Sequence, residues 1–144
     1  MPDFPGFAFT GFEILVRTLY GEARGEPREG KHAVAWVILN RAAIGKAYGG
    51  PSIAGVCLKT KQFSCWNAGD PMRVKVELAD VPRLANCLAA ATEVFTGEAL
   101  DPTGGATHYL NPELTRQIRG GTLPDWADPA KRTAVIGLHW FYKL

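Results

Sequence analysis

The stretch from Pro27 to Ala43, PREGKHAVAWVILNRAA, is apolar on nearly every side of a helix. Val34, Trp36, Val37, Ile38 and Leu39 point in successive directions around its axis, so no single face can be turned to water without exposing large side chains. Such a helix has to be surrounded. It predicts a central, buried element opened by Pro27, which suits a first helical turn, and the rest of the chain must supply its cover.

The candidates for that cover are shorter. Residues 1–10, rich in Pro and Phe, read as an irregular lead-in. Phe12, Leu15, Val16 and Leu19 then recur at helical spacing and predict a first helix from Gly11 to Arg24. Gly25 and Pro27 end it, because proline drives Glu26 out of the α region. Ser52 is placed to cap a short helix, SIAGVCLK. TKQFSCW is a β-prone aromatic run that stops at the turn residues NAGDP, and predicts a strand. Leu84, Cys87, Leu88, Ala91, Val94 and Phe95 form the stripe of a third long helix, capped by Asp80 and stopped by Gly97. DPTGGATHYLNP gives a glycine-rich turn, a short strand and a proline stop, and a long polar loop leads into AVIGLHWFYKL, a terminal strand. Helices dominate and three short strands punctuate them, so the fold class is α+β. Without internal repeats or linkers, the 144 residues are expected to form one domain.

Charge narrows the function classes. A net charge of +2 with 21% charged residues is too small to point to nucleic acid, although it suits an anionic polymer. No apolar run approaches the ~20 residues of a membrane span, so membrane insertion is not expected. The opening residues lack a basic segment followed by an apolar one, which predicts synthesis in the cytoplasm without a secretory signal and any export by other means. Cys57, Cys65 and Cys87 are an odd set without CxxC spacing, and read as three buried thiols.

The informative chemistry lies in LYGEARGEPREG. Leu15, Leu19 and Glu22 share one face of the first helix, so Glu22 extends an apolar stripe at the helix end. Burial disfavours a charged carboxylate, and a carboxyl kept protonated near neutrality is the proton donor that glycosidic cleavage requires. The competing reading is an ion pair with Arg24, Arg28 or Arg41, which the spacing alone favours. Glu26, four residues on, would lie ~5–6 Å away at Cβ on a continuous helix, near the separation of a retaining glycosidase pair. Pro27 turns it off that face, however, so a cap on the second helix or a hold on Arg24 is the more economical role. The sequence thus offers one acid and no nucleophile at fixed spacing.

Other chemistries have weaker support. Cys65 with His108 or His139 would make a thiol hydrolase, without a local signature. His32, His108 and His139 are scattered, with no metal-ligand spacing, so neither metal nor cofactor is expected. Phe63, Trp66, His108, Tyr109, Trp140 and Tyr142 fall on the three strand candidates, interleaved with Gln62, Ser64, Thr107 and Asn111. Rings beside short polar groups suit a groove for a sugar polymer, although any single ring is more often core.

YGEARGEPREGKHAVAWVILNR, QFSCW, DPTGGATHYLNP and IGLHWFY stand in the order seen in the cell wall hydrolase family typified by the spore cortex-lytic enzymes, and the chain resembles that family from Ile14 to Tyr142. The resemblance implies a mainly helical, lysozyme-like domain with a small three-stranded antiparallel sheet beside the active-site groove. It implies action on the MurNAc–GlcNAc strand of peptidoglycan, as a lytic transglycosylase ahead of a hydrolytic lysozyme, with a silent peptidoglycan-binding module as the non-enzymatic alternative. Glu22 becomes the catalytic acid. Glu26, Gln62, Phe63, Ser64, Trp66, Thr107, His108, Tyr109 and Asn111 become the substrate-binding set, in a protein expected to be monomeric. Substrate assistance explains the missing nucleophile, since the muramic C6 hydroxyl itself closes a 1,6-anhydro ring. Two departures stand out. Leu110 replaces an aromatic usual in relatives, and the bare catalytic domain without an export signal resembles a phage or prophage endolysin that reaches the wall through a holin.

Overall fold

The computed structural model describes residues 9–144, so residues 1–8 of the expected lead-in lie outside the described residues. The chain runs through α1 (Gly11–Ala23), α2 (Arg28–Ile44), α3 (Ile53–Leu58), α4 (Pro71–Leu78), α5 (Val81–Phe95), β1 (His108–Leu110), α6 (Pro112–Ile118), β2 (Arg132–Ile136) and β3 (His139–Tyr142). The helix caps follow local chemistry. Thr10 and Glu13 exchange side-chain and backbone hydrogen bonds at 3.2 Å, a reciprocal cap that starts α1. Ser52, Asp70 and Asp80 each accept a backbone N–H at the start of α3, α4 and α5.

The central position of α2 holds. Val34, Val37 and Ile38 are fully buried, while Trp36 and Leu39 are partly buried against the same core. One side of α2 meets α1, α3 and α5 through Val34, Ile38, Leu15, Leu19 and Ala91. Its other side meets the sheet, where Ala33 and Val37 pack on Ala106, Ile136 and Phe141. The sheet is antiparallel with order β1-β3-β2, pairing His108 with Tyr142 and Ile136 with His139. A mostly helical fold with a small three-stranded antiparallel sheet is therefore what the chain adopts.

Several expected elements change. TKQFSCW is no strand: Ser64–Trp66 form a 3-10 turn, and Phe63, Cys65 and Trp66 turn inward. The third strand comes instead from the terminal segment, which folds back at Gly137 into the β2–β3 hairpin. Pro112 follows the end of β1 as expected and also starts a helix, α6, where Asn111 caps the Leu114 N–H at 3.1 Å. The segment after NAGDP forms α4, whose closing carbonyls at Val76, Glu77 and Ala79 accept hydrogen bonds of 2.8–3.2 Å from Arg17 of α1.

The Ser64–Trp66 turn presses on α1 at Gly21, one residue before Glu22. A Cβ on Gly21 would lie 2.7 Å from both Cβ and Sγ of Cys65 and 3.0 Å from Val76 Cγ2. Gly21→Ala is therefore expected to cost about 1–3 kcal/mol, the usual penalty of overpacking. Denaturant unfolding checks this: the midpoint should fall with the slope unchanged, and an unchanged midpoint would mean that the turn yields freely.

Candidate active site

Leu15 and Leu19 are fully buried, and Glu22 continues their row into the last turn of α1, where the helix emerges at the surface. The carboxyl is only partly exposed. Burial pushes its pKa up to about 7; hydrogen bonding from the Tyr109 side chain opposes that rise, and the charge of Asp70 adds to it. The alternative of an ion pair fails, because each basic neighbour is engaged elsewhere. Arg24 donates to the Tyr20 carbonyl, Arg28 pairs with Glu93 at 2.8 Å, and Arg41 donates to the Thr107 carbonyl at 2.6 Å. Among the described residues Glu22 forms no ion pair.

Tyr109 reaches Glu22 from β1. Its ring stands 4.9 Å from that of His139 and 5.7 Å from that of Phe141, so β3 braces it. Its phenol is pushed up, first by burial and then by the charge of Glu22, so it stays protonated and able to donate. The adjacent His108 sits between Tyr48 and Trp126, at 5.6 and 4.9 Å between ring centroids. Burial, aided by Arg41, lowers its pKa to about 4, which keeps the imidazole neutral. Thr107 is buried, with its hydroxyl 2.9 Å from His108 Nδ1 and accepting the Leu144 N–H at 3.3 Å. It orients the strand rather than facing outward.

The remaining expected contacts divide. Gln62 and Ser64 are exposed, and Gln62 Oε1 accepts from Arg41 Nη1 at 3.3 Å. Phe63 and Trp66 are only 2% and 3% exposed, so the structure corrects their reading as a stacking surface and puts both in the core. Trp66 Nε1 donates to Thr18 Oγ1 at 2.8 Å, which satisfies both groups under the floor of the site. The Asn111 side chain is occupied as the α6 cap.

Glu26 neither caps α2 nor holds Arg24. Pro27 stands at the α2 N-cap with no side-chain bond. Glu26 Oε1 instead accepts the Leu138 N–H at 3.0 Å and lies 3.3 Å from His139 Nδ1, which ties the α1–α2 elbow to the hairpin turn. The three cysteines are buried and unpaired, and burial pushes the Cys57 thiol up to about 12 and Cys65 higher still. Neither supplies a thiolate near neutral pH.

The cell wall hydrolase family matches residues 25–142. The chain belongs to the cell wall hydrolase family. Among curated proteins, the spore cortex-lytic enzyme of Oceanobacillus iheyensis is 30% identical over 138 residues, covering 96% of this chain and 43% of that protein. That of Bacillus subtilis is 32% identical over 108 residues, covering 75% and 32%. The chain thus spans less than half the length of the curated relatives it matches. Among solved structures, the catalytic domain of the germination-specific lytic transglycosylase SleB from Bacillus anthracis superposes with a TM-score of 0.67 at 26% identity, covering 98% of this chain and 100% of that one. The catalytic domain of the Bacillus cereus SleB protein gives 0.63 at 25% identity, covering 99% and 97%.

Around the site of this cell wall hydrolase, the sequence does not single out Tyr48, Asp70 or Trp126, and it offers Arg41 only as an ion-pair candidate for Glu22 and His139 only as a thiol-hydrolase partner. Arg41 had a usable signal, because 41 is 34 plus 7 and so continues the buried row of Val34 and Ile38, as Glu22 continues that of Leu15 and Leu19. The other four come from loops and strands whose positions depend on tertiary packing.

The raised pKa of Glu22 has a stability consequence. The folded value, about 7, lies above the ordinary 4.5, so folding favours the protonated form. The penalty is absent below about pH 4.5, grows as pH rises and is complete above about 7, where it amounts to about 3 kcal/mol. Glu22→Gln removes it. The variant is expected to be more stable than the parent at pH 8, with the difference vanishing near pH 4. Unfolding curves at the two pH values check this, and equal stabilities at pH 8 would mean that Glu22 is ionised without cost.

Proposed function

We propose that this protein cleaves the glycan strand of peptidoglycan as a lytic transglycosylase, with Glu22 as the sole general acid and base. The observation that carries this reading is the unpaired, partly buried Glu22 carboxyl held near pKa 7 at the open end of α1. The SleB catalytic domains it resembles, one of them described as a lytic transglycosylase, support it. Glu22 gives its proton to the glycosidic oxygen as the C1–O bond breaks and charge develops on the sugar ring. The resulting carboxylate then takes the proton of the muramic C6 hydroxyl as O6 bonds to C1, closing a 1,6-anhydro ring. The cycle returns Glu22 to its protonated form and consumes no water. A pKa near 7 suits both halves, since one residue must give and then recover the proton.

The neighbours have matching roles. Tyr109 holds the carboxyl in position, Gln62, Ser64 and Asn111 border the groove, Glu26 acts on it from behind by anchoring the hairpin, and Tyr48, His108 and Trp126 give it aromatic walls, with Thr107 fixing the strand. Phe63 and Trp66 act from beneath, by shaping the floor. Peptidoglycan is the partner this implies. No helix among the described residues is long and apolar enough to cross a membrane. Hydrolysis by a lysozyme-type pair is the second reading, and the charge of Asp70 near Glu22 is the observation in its favour.

Glu22→Gln is expected to reduce cleavage by ~10²–10⁴-fold, the usual worth of a positioned acid–base, while the fold survives. Mass spectrometry of digested peptidoglycan separates the readings. Products ending in 1,6-anhydromuramic acid support the transglycosylase, reducing ends replace it with hydrolysis, and freed peptides without cut glycan would remove the glycosidase assignment altogether. Activity should fall as pH rises past about 7, because the donor form of Glu22 is lost.

A further inference from the structure

Arg41 carries its charge into the protein interior from the last turn of α2, and meets no carboxylate there. It is 6% exposed. Its Nε donates to the Thr107 carbonyl at 2.6 Å and its Nη1 to Gln62 Oε1 at 3.3 Å, while the rings of Phe63 and Tyr48 lie 5.3 and 5.7 Å from its Cζ. Every one of these partners is neutral. None of the ion pairs among the described residues includes Arg41. A buried guanidinium without a carboxylate is costly. A cross-link from α2 to the strand could be made by a neutral amide at lower cost, so the charge asks for a purpose.

The free end of the fork supplies one. Nη2 makes no hydrogen bond, and only Arg17 Nε and His139 Nδ1 are sealed from solvent without a partner among the described residues. The Nη2 end of Arg41 is therefore not sealed from solvent, and it keeps two N–H groups to offer. Its outlet is bordered by the exposed Gln62, by Tyr48 and by His108, whose ring packs edgewise on Tyr48. Thr107, to which Arg41 is anchored, precedes Tyr109 by two residues, about 7 Å along a strand, and Tyr109 touches Glu22. The outlet thus lies on the groove beside the acid, one short step along the sheet.

We infer that the open Nη2 edge of Arg41 is the contact for a carboxylate carried by the glycan, next to the bond that Glu22 cleaves. This rests on reading the site as a glycan-strand glycosidase. A planar fork with one edge anchored and one edge free is suited to carboxylate recognition, and a fixed arginine loses little freedom on binding. The carboxylate has two sources in peptidoglycan: the lactyl ether of muramic acid when the stem peptide is absent, and the stem peptide itself when it is present. Both present the same chemistry to Arg41.

The test uses four substrates: strands stripped of stem peptides, strands bearing them, and each of these after conversion of the carboxylates to methylamides. Amidation is expected to lower kcat/KM of the unmodified protein by roughly tenfold or more in one of the two pairs, the size of a charge-assisted hydrogen bond, and that pair identifies the source. Arg41→Gln should lose the discrimination, and Arg41→Lys should keep only part of it. Equal turnover of free and amidated strands in both pairs overturns the inference, and because this comparison needs no variant, a poorly folding Arg41→Gln cannot obscure it. Undiminished discrimination in a folded Arg41→Gln overturns the assignment to Arg41. Failure of the underlying function looks different, since no strand of any kind would be cut.

Discussion

The surroundings of α2 set the layout of the whole molecule. A helix with large apolar side chains on all sides cannot lie on a surface, so it takes helices on one flank and the sheet on the other. That arrangement brings the C-terminal end of α1 up to the face of β1, with the 3-10 turn at Ser64–Trp66 beneath both. The groove follows from covering α2 with two kinds of element, for a helix end and a strand meet across it without closing. Small aromatic clusters finish the job at the rim. Leu110, Ala127 and Tyr142 pack together beyond the main core, with Trp126 and Trp140 against them, and hold the sheet where Tyr109 can reach Glu22.

Two buried charges of opposite sign border that groove, and they are kept apart. An arginine against Glu22 would stabilise the carboxylate and lower its pKa, which would destroy a proton donor. Arg41 instead spends its donors on a carbonyl and an amide oxygen, and its flat faces meet rings. Tyr109 stands between the two, feeling both charges. It can orient the Glu22 carboxyl with one neutral hydrogen bond, which limits the rise in pKa without cancelling it. The separation costs stability at both sites, a pattern usual where activity depends on a group held away from its most stable state.

The parts of the fold legible in the sequence are those decided by local chemistry. The α1, α2 and α5 helices, the Ser52 and Asp80 caps and the break at Pro27 all depend on neighbours within a few residues and appear where the pattern puts them, although of the α5 stripe Leu88 and Phe95 stay exposed. Residues 60–66 are ambiguous in the sequence, because aromatic, β-prone residues fit a strand or a buried turn equally well. The deciding contact, Trp66 to Thr18, spans 48 residues. The hairpin looks like one strand in the sequence because Gly137 and Leu138 interrupt an apolar run too briefly to stand out. Glu22 was legible as a candidate since a carboxylate on a buried stripe is an anomaly in itself. Arg41 obeys the same rule, but the sequence offers it first as an ion-pair candidate for Glu22.

The second glutamate of GEARGE shows what a change of backbone does to an identical side chain. Glu26 stands four positions after Glu22, yet the helix ends between them and they point into different parts of the fold. Glu22 stays in helical register and meets the groove with no N–H or cation to hold its charge. Glu26 is outside the helix, and its Oε1 receives the Leu138 N–H from a hairpin 112 residues away. The hairpin is shaped for it. Gly137 adopts φ +57°, and a Cβ there would stand 2.5 Å from Glu26 Oε1, so any side chain at 137 would push the carboxylate off its donor. Through His139 this anchor reaches Tyr109, since the same imidazole lies 3.3 Å from Glu26 and 4.9 Å, ring to ring, from Tyr109. Glu26 therefore bears on the acid without facing the groove: it fixes the hairpin, the hairpin fixes the tyrosine, and the tyrosine faces Glu22.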